Sequence, residues 1–332
     1  MIQDFGVLPD GTTVREITLK KGPLEASVLT YGAIIRDLKV DGQSVTLGFE
    51  DLQSYLDHSP YFGAVVGRCA NRIAGGNLTV DGVGYQLDLN DNGRHHLHGG
   101  SLGFSARNWQ LEQHDKASVL LKLVSEDGDM GYPGQVEALL RYTLTGAGAL
   151  RVKMTATTSA TTPVNLTQHA YFNLDGSADI LDHTLEIAAD RYLPVDEALI
   201  PTGEIRKVAW TPYDFQEGRK LRRKPGEQGV LYDHNFCLVD APAQELAFAA
   251  ALEDGAGSRR MEVWTTEPGL QLFDAEGMDV PVPGLAGKRY GAHAGLCLEA
   301  QRWPDGVNQK EFMDVLLRPG ETYSHATEFR FS

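Results

Sequence analysis

The sequence of 332 residues has few cysteines and no long apolar run. Its three cysteines, Cys69, Cys237 and Cys297, are odd in number and widely spaced, which excludes a disulfide framework or a C-x-x-C pair and leaves three reduced thiols. No apolar run reaches the roughly 18 residues of a membrane helix. Residues 1–10 carry aspartates where a signal peptide would carry basic and then apolar residues. We therefore expect a soluble protein of the cytoplasm.

Positive charge is also scarce. Lys and Arg number 30 against 45 Asp and Glu, which gives a net charge of -15 at pH 7. Such a chain repels a phosphate backbone and an anionic membrane surface, so we expect neither nucleic acid nor membrane as a partner. The one basic cluster, at 220–224, is interpreted as a solvated loop in preference to a phosphate site.

Apolar residues make up 42% and charged residues 23% of the chain, which is typical of a globular protein. The 36 glycines and 15 prolines occur at short intervals and form no linker, so we expect one domain over 1–332. Short runs with strand-like alternation lie between them. These runs are 15–20, 27–38, 44–48, 77–89, 119–125, 139–144, 150–157, 183–188 and 322–331.

Turn signals separate these runs in the manner of hairpins. Asp81 and Gly82 form an Asp-Gly pair inside the run 77–89, and residues 145–149 separate two further runs. Many short strands without long helical periodicity predict an all-β sandwich or barrel and argue against an alternating βαβ fold. One segment disagrees, because 241–252 is rich in Ala, Glu and Leu and has the propensity of a helix.

Two clusters in the first third of the chain offer polar side chains. Arg68, Asn71 and Arg72 provide fixed donors that suit sugar hydroxyls or carboxylates, although a structural ion pair is an equal alternative. His96 and His98 are two apart and would face the same side of a strand. The jelly-roll metal pattern needs a carboxylate soon afterwards, and 101–106 contains none, so we expect no metal there.

Two further clusters lie in the second half. His169, Tyr171 and Asn173 would share one face of an extended segment, which fits either a binding cleft or a hydrogen-bonded half-buried strand. Glu299 stands in the otherwise apolar run 296–301. A carboxylate in such a strand is costly to bury, so it is either paired or raised in pKa and functional.

Eight stretches occur together and in order, and with them the sequence resembles the aldose 1-epimerase family. They are GRCANRIA at 67–74, LHGG at 97–100, DGDMGYPG at 127–134, NLTQHAYFNLDG at 165–176, YLPVDEALIPTGEI at 192–205, YDHNF at 232–236, TTEPGLQ at 265–271 and CLEAQRWPD at 297–305. The resemblance spans nearly the whole chain. It implies a large antiparallel β-sandwich, and a strand hairpin over 241–264 with 255–258 in its turn.

The resemblance also implies an activity and a set of residues. Members of the family interconvert the α and β anomers of a free monosaccharide by acid and base catalysis, without a cofactor. Glu299 matches the family's base, and His169 matches the acid that protonates the ring oxygen. The residues implied in substrate binding are Asn71, Arg72, His98, Tyr171, Asp233 and Gln271.

The sequence departs from the family at Cys69, where many relatives carry an aromatic residue, and at 272–277, which differ from the usual run after Gln271. Galactose and glucose are the default substrates, with arabinose, xylose and other aldoses left open. Two alternatives remain at this point. A noncatalytic sugar-binding module would have no use for both an acid and a base, and a phosphosugar epimerase would need a basic pocket. The sequence predicts no oligomeric state.

Overall fold

A computed structural model describes residues 1–332 and contains 28 β-strands, one α-helix and four short 3-10 helices. The strands are β1 (Ile2–Val7), β2 (Thr13–Lys21), β3 (Leu24–Leu29), β4 (Ile35–Val40), β5 (Gln43–Ser44), β6 (Ala64–Val66), β7 (Arg72–Ile73), β8 (Asn77–Val80), β9 (Val83–Gln86), β10 (His96–Leu97), β11 (Gln110–His114), β12 (Ser118–Ser125), β13 (Val136–Leu144), β14 (Ala149–Thr158), β15 (Thr162–Pro163), β16 (Thr167–His169), β17 (Tyr171–Phe172), β18 (Thr184–Ile187), β19 (Arg191–Tyr192), β20 (Arg206–Lys207), β21 (Arg219–Lys220), β22 (Asp233–Cys237), β23 (Ala247–Glu253), β24 (Arg260–Thr265), β25 (Gly269–Phe273), β26 (Leu296–Gln301), β27 (Leu316–Leu317) and β28 (Tyr323–Phe331). The α-helix is α1 (Leu52–His58), and the 3-10 helices span Ala74–Gly76, Phe104–Ala106, Asp129–Gly131 and Leu285–Gly287.

Three large antiparallel sheets organise the chain. The nine-stranded sheet has the order β11-β12-β13-β14-β28-β24-β23-β18-β21, the six-stranded sheet has the order β17-β26-β25-β22-β19-β20, and the five-stranded sheet runs from β1 to β5 in sequence order. Four two-stranded sheets pair β7 with β10, β8 with β9, β6 with β16 and β15 with β27. The predicted fold class, an all-β antiparallel sandwich, is confirmed.

The core lies between the sheets. Residues along β13 alternate strictly between buried and half-buried, as expected for a strand with one face on the core and the other toward solvent. Phe172 of the six-stranded sheet packs on Phe329 of the nine-stranded sheet, with ring centroids 4.9 Å apart. Both belong to a cluster of 54 buried apolar residues that also draws on the five-stranded sheet. Burial of this surface is the main stabilising contribution to the fold.

The predicted hairpins form where turn residues can adopt positive φ. Asp81 (φ 51°) and Gly82 (φ 80°) join β8 to β9 in the two-residue loop that an Asp-Gly pair favours. The hairpin predicted over 241–264, with 255–258 in its turn, is confirmed as β23 and β24, although its first strand starts only at Ala247. Asp254 closes that turn by accepting hydrogen bonds from Ala256 N and Ser258 N, both at 2.9 Å. Strand pairing therefore overrides the helical propensity of this segment.

Three details differ from expectation. The run 27–38 is a hairpin and not one strand, because Gly32 (φ 61°) and Ala33 (φ 49°) turn the chain between β3 and β4. Of the run 44–48, only Ser44 lies in a strand. The helix α1 was not expected; Asp51 caps it by accepting from Ser54 N at 2.9 Å. No helix has the length and apolar character needed to cross a membrane.

Candidate active site

Four adjacent strands of the six-stranded sheet display one half of the candidate site. Gln271 on β25 lies directly opposite Glu299 on β26, and two residues away on the same strands Phe273 lies opposite Cys297. Cys297 in turn lies opposite Tyr171 on β17, and Phe273 lies opposite Asp233 on β22. Because side chains alternate between the two faces of a sheet, these residues share one face. The opposite face carries Leu270, Leu272 and Leu298, which are buried in the core.

The other half of the site comes from short segments that face this sheet. Arg72 on β7 pairs with Leu97 on β10. The next residues, Asn71 (φ 63°) and His98 (φ 52°), both turn into the left-handed region and join through two hydrogen bonds: Asn71 N donates to His98 Nδ1, and His98 N donates to Asn71 O, each at 3.1 Å. Because Asn71 N donates to it, Nδ1 of His98 is an acceptor, and the proton of the neutral ring resides on Nε2. His169, the last residue of β16, completes this half of the site.

All eight residues expected at the site line one cavity of about 200 Å³. The lining residues are Pro60, Tyr61, Asn71, Arg72, Leu97, His98, His169, Tyr171, Asp233, Gln271, Phe273 and Glu299. Residues from distant parts of the chain thus converge on a space of the size of a small polar molecule.

His169 and Glu299 form a close pair of titratable groups in the cavity. Nε2 of His169 lies 3.7 Å from Oε1 of Glu299, and their side chains are only 5% and 3% exposed. Oε2 of Glu299 has no hydrogen-bond partner in the protein. Burial raises the pKa of Glu299 well above its usual value, with a further increase from Asp233 and an opposing effect of Arg72. Burial lowers the pKa of His169 to about 4.

A chain of charged and amide groups lines the cavity beside this pair. Arg72 Nε donates to Asp91 Oδ2 at 2.8 Å, and Arg72 Nη1 lies 3.8 Å from Asp233 Oδ2. Gln271 Nε2 donates to Asp233 Oδ1 at 2.6 Å. Burial raises the pKa of Asp233, and Arg72 opposes that shift. The guanidinium group of Arg72 is thereby held between two carboxylates, in a fixed orientation beside His169 and Glu299.

Aromatic rings enclose the histidines. The ring of Tyr61 lies nearly parallel to that of His169, at 27° and 5.7 Å between centroids, and 4.7 Å from the ring of His98. Tyr171 also lies nearly parallel to His169, at 30° and 5.1 Å, and its hydroxyl donates to Pro60 O at 2.9 Å. Sequence reasoning missed Tyr61 and Asp91. Tyr61 stands in a turn with positive φ (66°), outside any alternating run, and no local pattern distinguishes it.

Several candidates from the sequence lie elsewhere. His96 and His98 do not share a face, because the left-handed backbone at His98 breaks the alternation; His96 instead contacts Tyr132 Oη and Asp88 O, each at 2.7 Å. Asn173 does not join His169 and Tyr171, since its amide donates to Ser177 O and Ala294 O. Arg68 is buried and donates to backbone carbonyls, including Ser125 O at 3.0 Å.

All three cysteines are free, as expected, and all three are buried. Cys297 lies beside the imidazole of His169, with its Sγ 3.5 Å from Nδ1. Burial raises the pKa of its thiol well above the usual value, so the neutral thiol is the stable form. Cys69 lies in a small apolar cluster beside Ile73, Leu78 and Tyr132, and does not line the cavity.

Fold and site together define a class of protein, an antiparallel β-sandwich whose concave polar cavity holds a buried carboxyl and imidazole pair. Comparison with known proteins gives the family. The family description "Aldose 1-epimerase" matches residues 15–330. Galactose mutarotase of Rattus norvegicus is 45% identical over 337 residues, covering 99% of this chain and 97% of the relative, and galactose mutarotase of Bos taurus is also 45% identical with the same coverage.

Among solved structures, an aldose epimerase homologue from C. elegans aligns with a TM-score of 0.89 and 30% identity, over 96% of this chain and 98% of that one. The chain therefore belongs to the aldose 1-epimerase family and is an enzyme of the isomerase type.

Proposed function

We propose that the protein interconverts the α and β anomers of a free aldose, with galactose and glucose as the first candidates, by moving protons between His169, Glu299 and the sugar. The observation that carries the proposal is the 3.7 Å distance between His169 Nε2 and Glu299 Oε1 inside a polar cavity. The anomeric oxygen O1 and the ring oxygen O5 are bonded to the same carbon. An acid and a base this close together can therefore reach both oxygens at once.

The proposed reaction has three steps. Glu299 takes the proton of the anomeric hydroxyl while His169 donates a proton to the ring oxygen, and the bond between C1 and O5 breaks to leave an open-chain aldehyde. Rotation about the bond between C1 and C2 presents the other face of the carbonyl. The ring then closes as His169 takes the proton of the O5 hydroxyl and Glu299 gives its proton to the carbonyl oxygen. Every proton taken by one residue is matched by one given by the other, so the pair ends as it began.

The pKa directions fit this exchange. Ionised Glu299 with protonated His169, and protonated Glu299 with neutral His169, contain the same number of protons. Burial raises the pKa of Glu299 and lowers that of His169 to about 4, which favours the uncharged form of both groups. Arg72 acts in the other direction by lowering the pKa of Glu299 and so favouring the ionised base. The pair is thus poised to hold one transferable proton over a wide pH range.

The remaining cavity residues are proposed to bind the sugar. Arg72 and the Nε2 proton of His98 are donors suited to sugar oxygens, and the hydrogen bond from Asn71 N to His98 Nδ1 fixes the ring. Asp233 and the free Oε1 of Gln271 are acceptors suited to sugar hydroxyls. Tyr171 donates its hydroxyl to Pro60 O, which supports a role as an aromatic wall of the cavity.

Two alternatives fit less well. A phosphosugar needs a basic pocket, but Arg72 already contacts Asp91 and Asp233, and Arg68 is buried elsewhere. A noncatalytic binding module has no need of a buried, uncompensated carboxyl beside an imidazole. The names of the mammalian relatives support galactose as the first substrate to test.

Further proposals concern the setting of the enzyme. The shared core of 54 residues supports one domain over 1–332. Three buried free thiols fit the reducing conditions of the cytoplasm. A net charge of -15 is unsuited to nucleic acid and to anionic membranes, which leaves a small monosaccharide as the proposed partner.

Polarimetry on freshly dissolved α-D-galactose, α-D-glucose and α-D-xylose tests the proposal. We expect a faster approach to anomeric equilibrium than in buffer alone, and an unchanged rate after dialysis against a strong chelator. Absence of acceleration with every aldose would contradict the proposed function. Loss of activity in chelator that zinc restores would contradict the proposed mechanism, which uses side-chain proton transfer alone.

A further inference from the structure

A second buried carboxylate lies next to the candidate active site and outside its cavity. Asp274 follows directly after β25 and is 0% exposed. Its Oδ2 lies 2.7 Å from Nη2 of Arg223 and 3.3 Å from Nδ1 of His293. Because a buried carboxylate is costly unless it is paired, this cluster of three charged or titratable side chains is a specific structural element.

Each member of the cluster belongs to a segment that leads to a different part of the site. Arg223 lies in the segment before β22, which carries Asp233. Asp274 lies three positions after Gln271 on the same strand path, and His293 lies six positions before Glu299. The carboxylate of Asp274 thus joins the segments that flank β22, β25 and β26, which are neighbours in the six-stranded sheet.

Backbone hydrogen bonds reinforce the cluster at the same place. Asp274 N donates to Tyr232 O at 3.2 Å, and His293 N donates to Ala275 O at 2.9 Å. The guanidinium carbon of Arg223 lies 3.8 Å from the centre of the Tyr232 ring, and its Nε donates to Val230 O at 3.0 Å. Tyr232 immediately precedes Asp233, so Arg223 holds the residue next to a candidate sugar ligand.

The basic run 220–224 is therefore divided in function. Lys220 and Arg222 are exposed and pair with exposed Asp182, as a solvated loop would. Arg223 departs from that expectation: its side chain is only 15% exposed and turns inward to Asp274. Charge pairs at the surface contribute little to stability, whereas a buried cation and carboxylate depend on each other.

We infer that Asp274 is a positioning residue for the epimerase reaction, which with Arg223 and His293 fixes the spacing of Asp233, Gln271 and Glu299 around the sugar. It touches neither the cavity nor the acid and base pair. This inference rests on the proposed function, because it concerns residues assigned to that reaction. A displacement of about 1 Å in a binding group is enough to lower catalytic efficiency substantially.

Asp274→Asn tests the inference, since it keeps the shape of the side chain and removes the carboxylate that Arg223 and His293 both face. We expect KM for the aldose to rise about tenfold while kcat falls less than about threefold. The reason is that Gln271 lies three positions from Asp274 and Asp233 adjoins Tyr232, which contacts Arg223, whereas Glu299 lies six positions from His293 and should be displaced less. Arg223→Gln, at the edge of the cluster, should show the same split to a smaller degree and serves if Asp274→Asn does not fold. Asp274→Glu keeps the carboxylate, so its KM should lie between those of Asp274→Asn and the wild type.

Glu328→Gln is the matched control. Glu328 is also a buried carboxylate between two cations, Arg151 and Arg330, with Arg330 Nη2 at 2.7 Å, but it lies on β28 in the nine-stranded sheet, away from the site. It should lower the melting temperature and leave KM unchanged. If Asp274→Asn and Arg223→Gln also lower only the melting temperature, the cluster is merely structural and the inference is wrong. A wild-type protein without epimerase activity would instead contradict the proposed function, so the two failures are distinguishable.

Discussion

The two main sheets of the molecule use burial differently. In the nine-stranded sheet, β13 alternates between buried and half-buried residues along its whole length. In the six-stranded sheet, all six residues of β26 are buried, and they include Glu299 and Gln301. A sheet with one solvated face needs only apolar residues toward the core. A sheet covered on both faces has room for a polar site on its second face, and that site has to be isolated from water.

The largest effect should come from the proposed acid and base pair, which joins Glu299 on β26 of the six-stranded sheet to His169 on β16. Glu299→Gln and His169→Asn keep side-chain shape and remove proton transfer, so kcat should fall by about 100- to 10,000-fold in each. The two losses should be far from additive, because the groups act together. The melting temperature should not fall, since Glu299 is buried with an oxygen that has no partner. A Glu299→Gln enzyme with wild-type mutarotation rates, measured by polarimetry, would refute the role.

A substitution in the nine-stranded sheet should give the converse result. Leu140 on β13 is fully buried in the main core, so Leu140→Ala should cost about 2–5 kcal/mol of unfolding free energy. Its kcat and KM per folded molecule should stay at wild-type values. Urea unfolding and polarimetry at low temperature measure the two quantities. A large change in KM would mean that the two sheets are coupled more strongly than their division of roles implies.

The pH dependence of kcat should be a bell whose limits belong to the pair. Below the lowered pKa of His169, about 4, both groups are protonated and no base remains; above the raised pKa of Glu299, both are deprotonated and no acid remains. The rate should change about tenfold per pH unit on each limb. The residual activity of Glu299→Gln should lose the alkaline limb. A Glu299→Gln enzyme whose residual activity keeps the alkaline limb of the wild type would contradict this account.

The smallest effect concerns Glu267, in the connection between the two sheets. It is 2% exposed, neither carboxylate oxygen has a hydrogen-bond partner, and burial raises its pKa to about 7 against the opposing charge of Arg302. The pKa of Glu267 is higher in the folded chain than in the unfolded chain. Its contribution to the free energy of unfolding is therefore complete below the usual carboxyl pKa, and is lost as pH rises through about 7. Glu267→Gln should remove up to about 3 kcal/mol of that pH dependence. Melting curves of the wild type and Glu267→Gln at pH 5 and pH 8 would show the difference. An equal fall in melting temperature from pH 5 to pH 8 in both proteins would refute the prediction.

The sequence predicted the features that have a local pattern, such as alternating polarity or a single charged residue in an apolar run. Alternating runs and the Asp81-Gly82 turn predicted the hairpins, and Glu299 was conspicuous as a carboxylate in an apolar strand. Other features depend on backbone conformation that alternation does not describe. The left-handed turn at His98 separates it from His96, and Tyr61 reaches the cavity from such a turn. The inward course of Arg223 depends on Asp274, about fifty positions later, and no local pattern distinguishes it from its solvated neighbours.

The position of Gln271 and Glu299 in the middle of a sheet has a consequence for amide hydrogen exchange. Gln271 is paired with Asn235 on β22 and with Glu299 on β26, and both residues are buried, so fluctuations of the neighbouring loops should not expose their amide protons. We therefore expect exchange at these amides to require opening of the sheet itself. The floor of the candidate site should therefore be among the last parts of the chain to unfold, and the protein should keep this site for as long as it keeps its core.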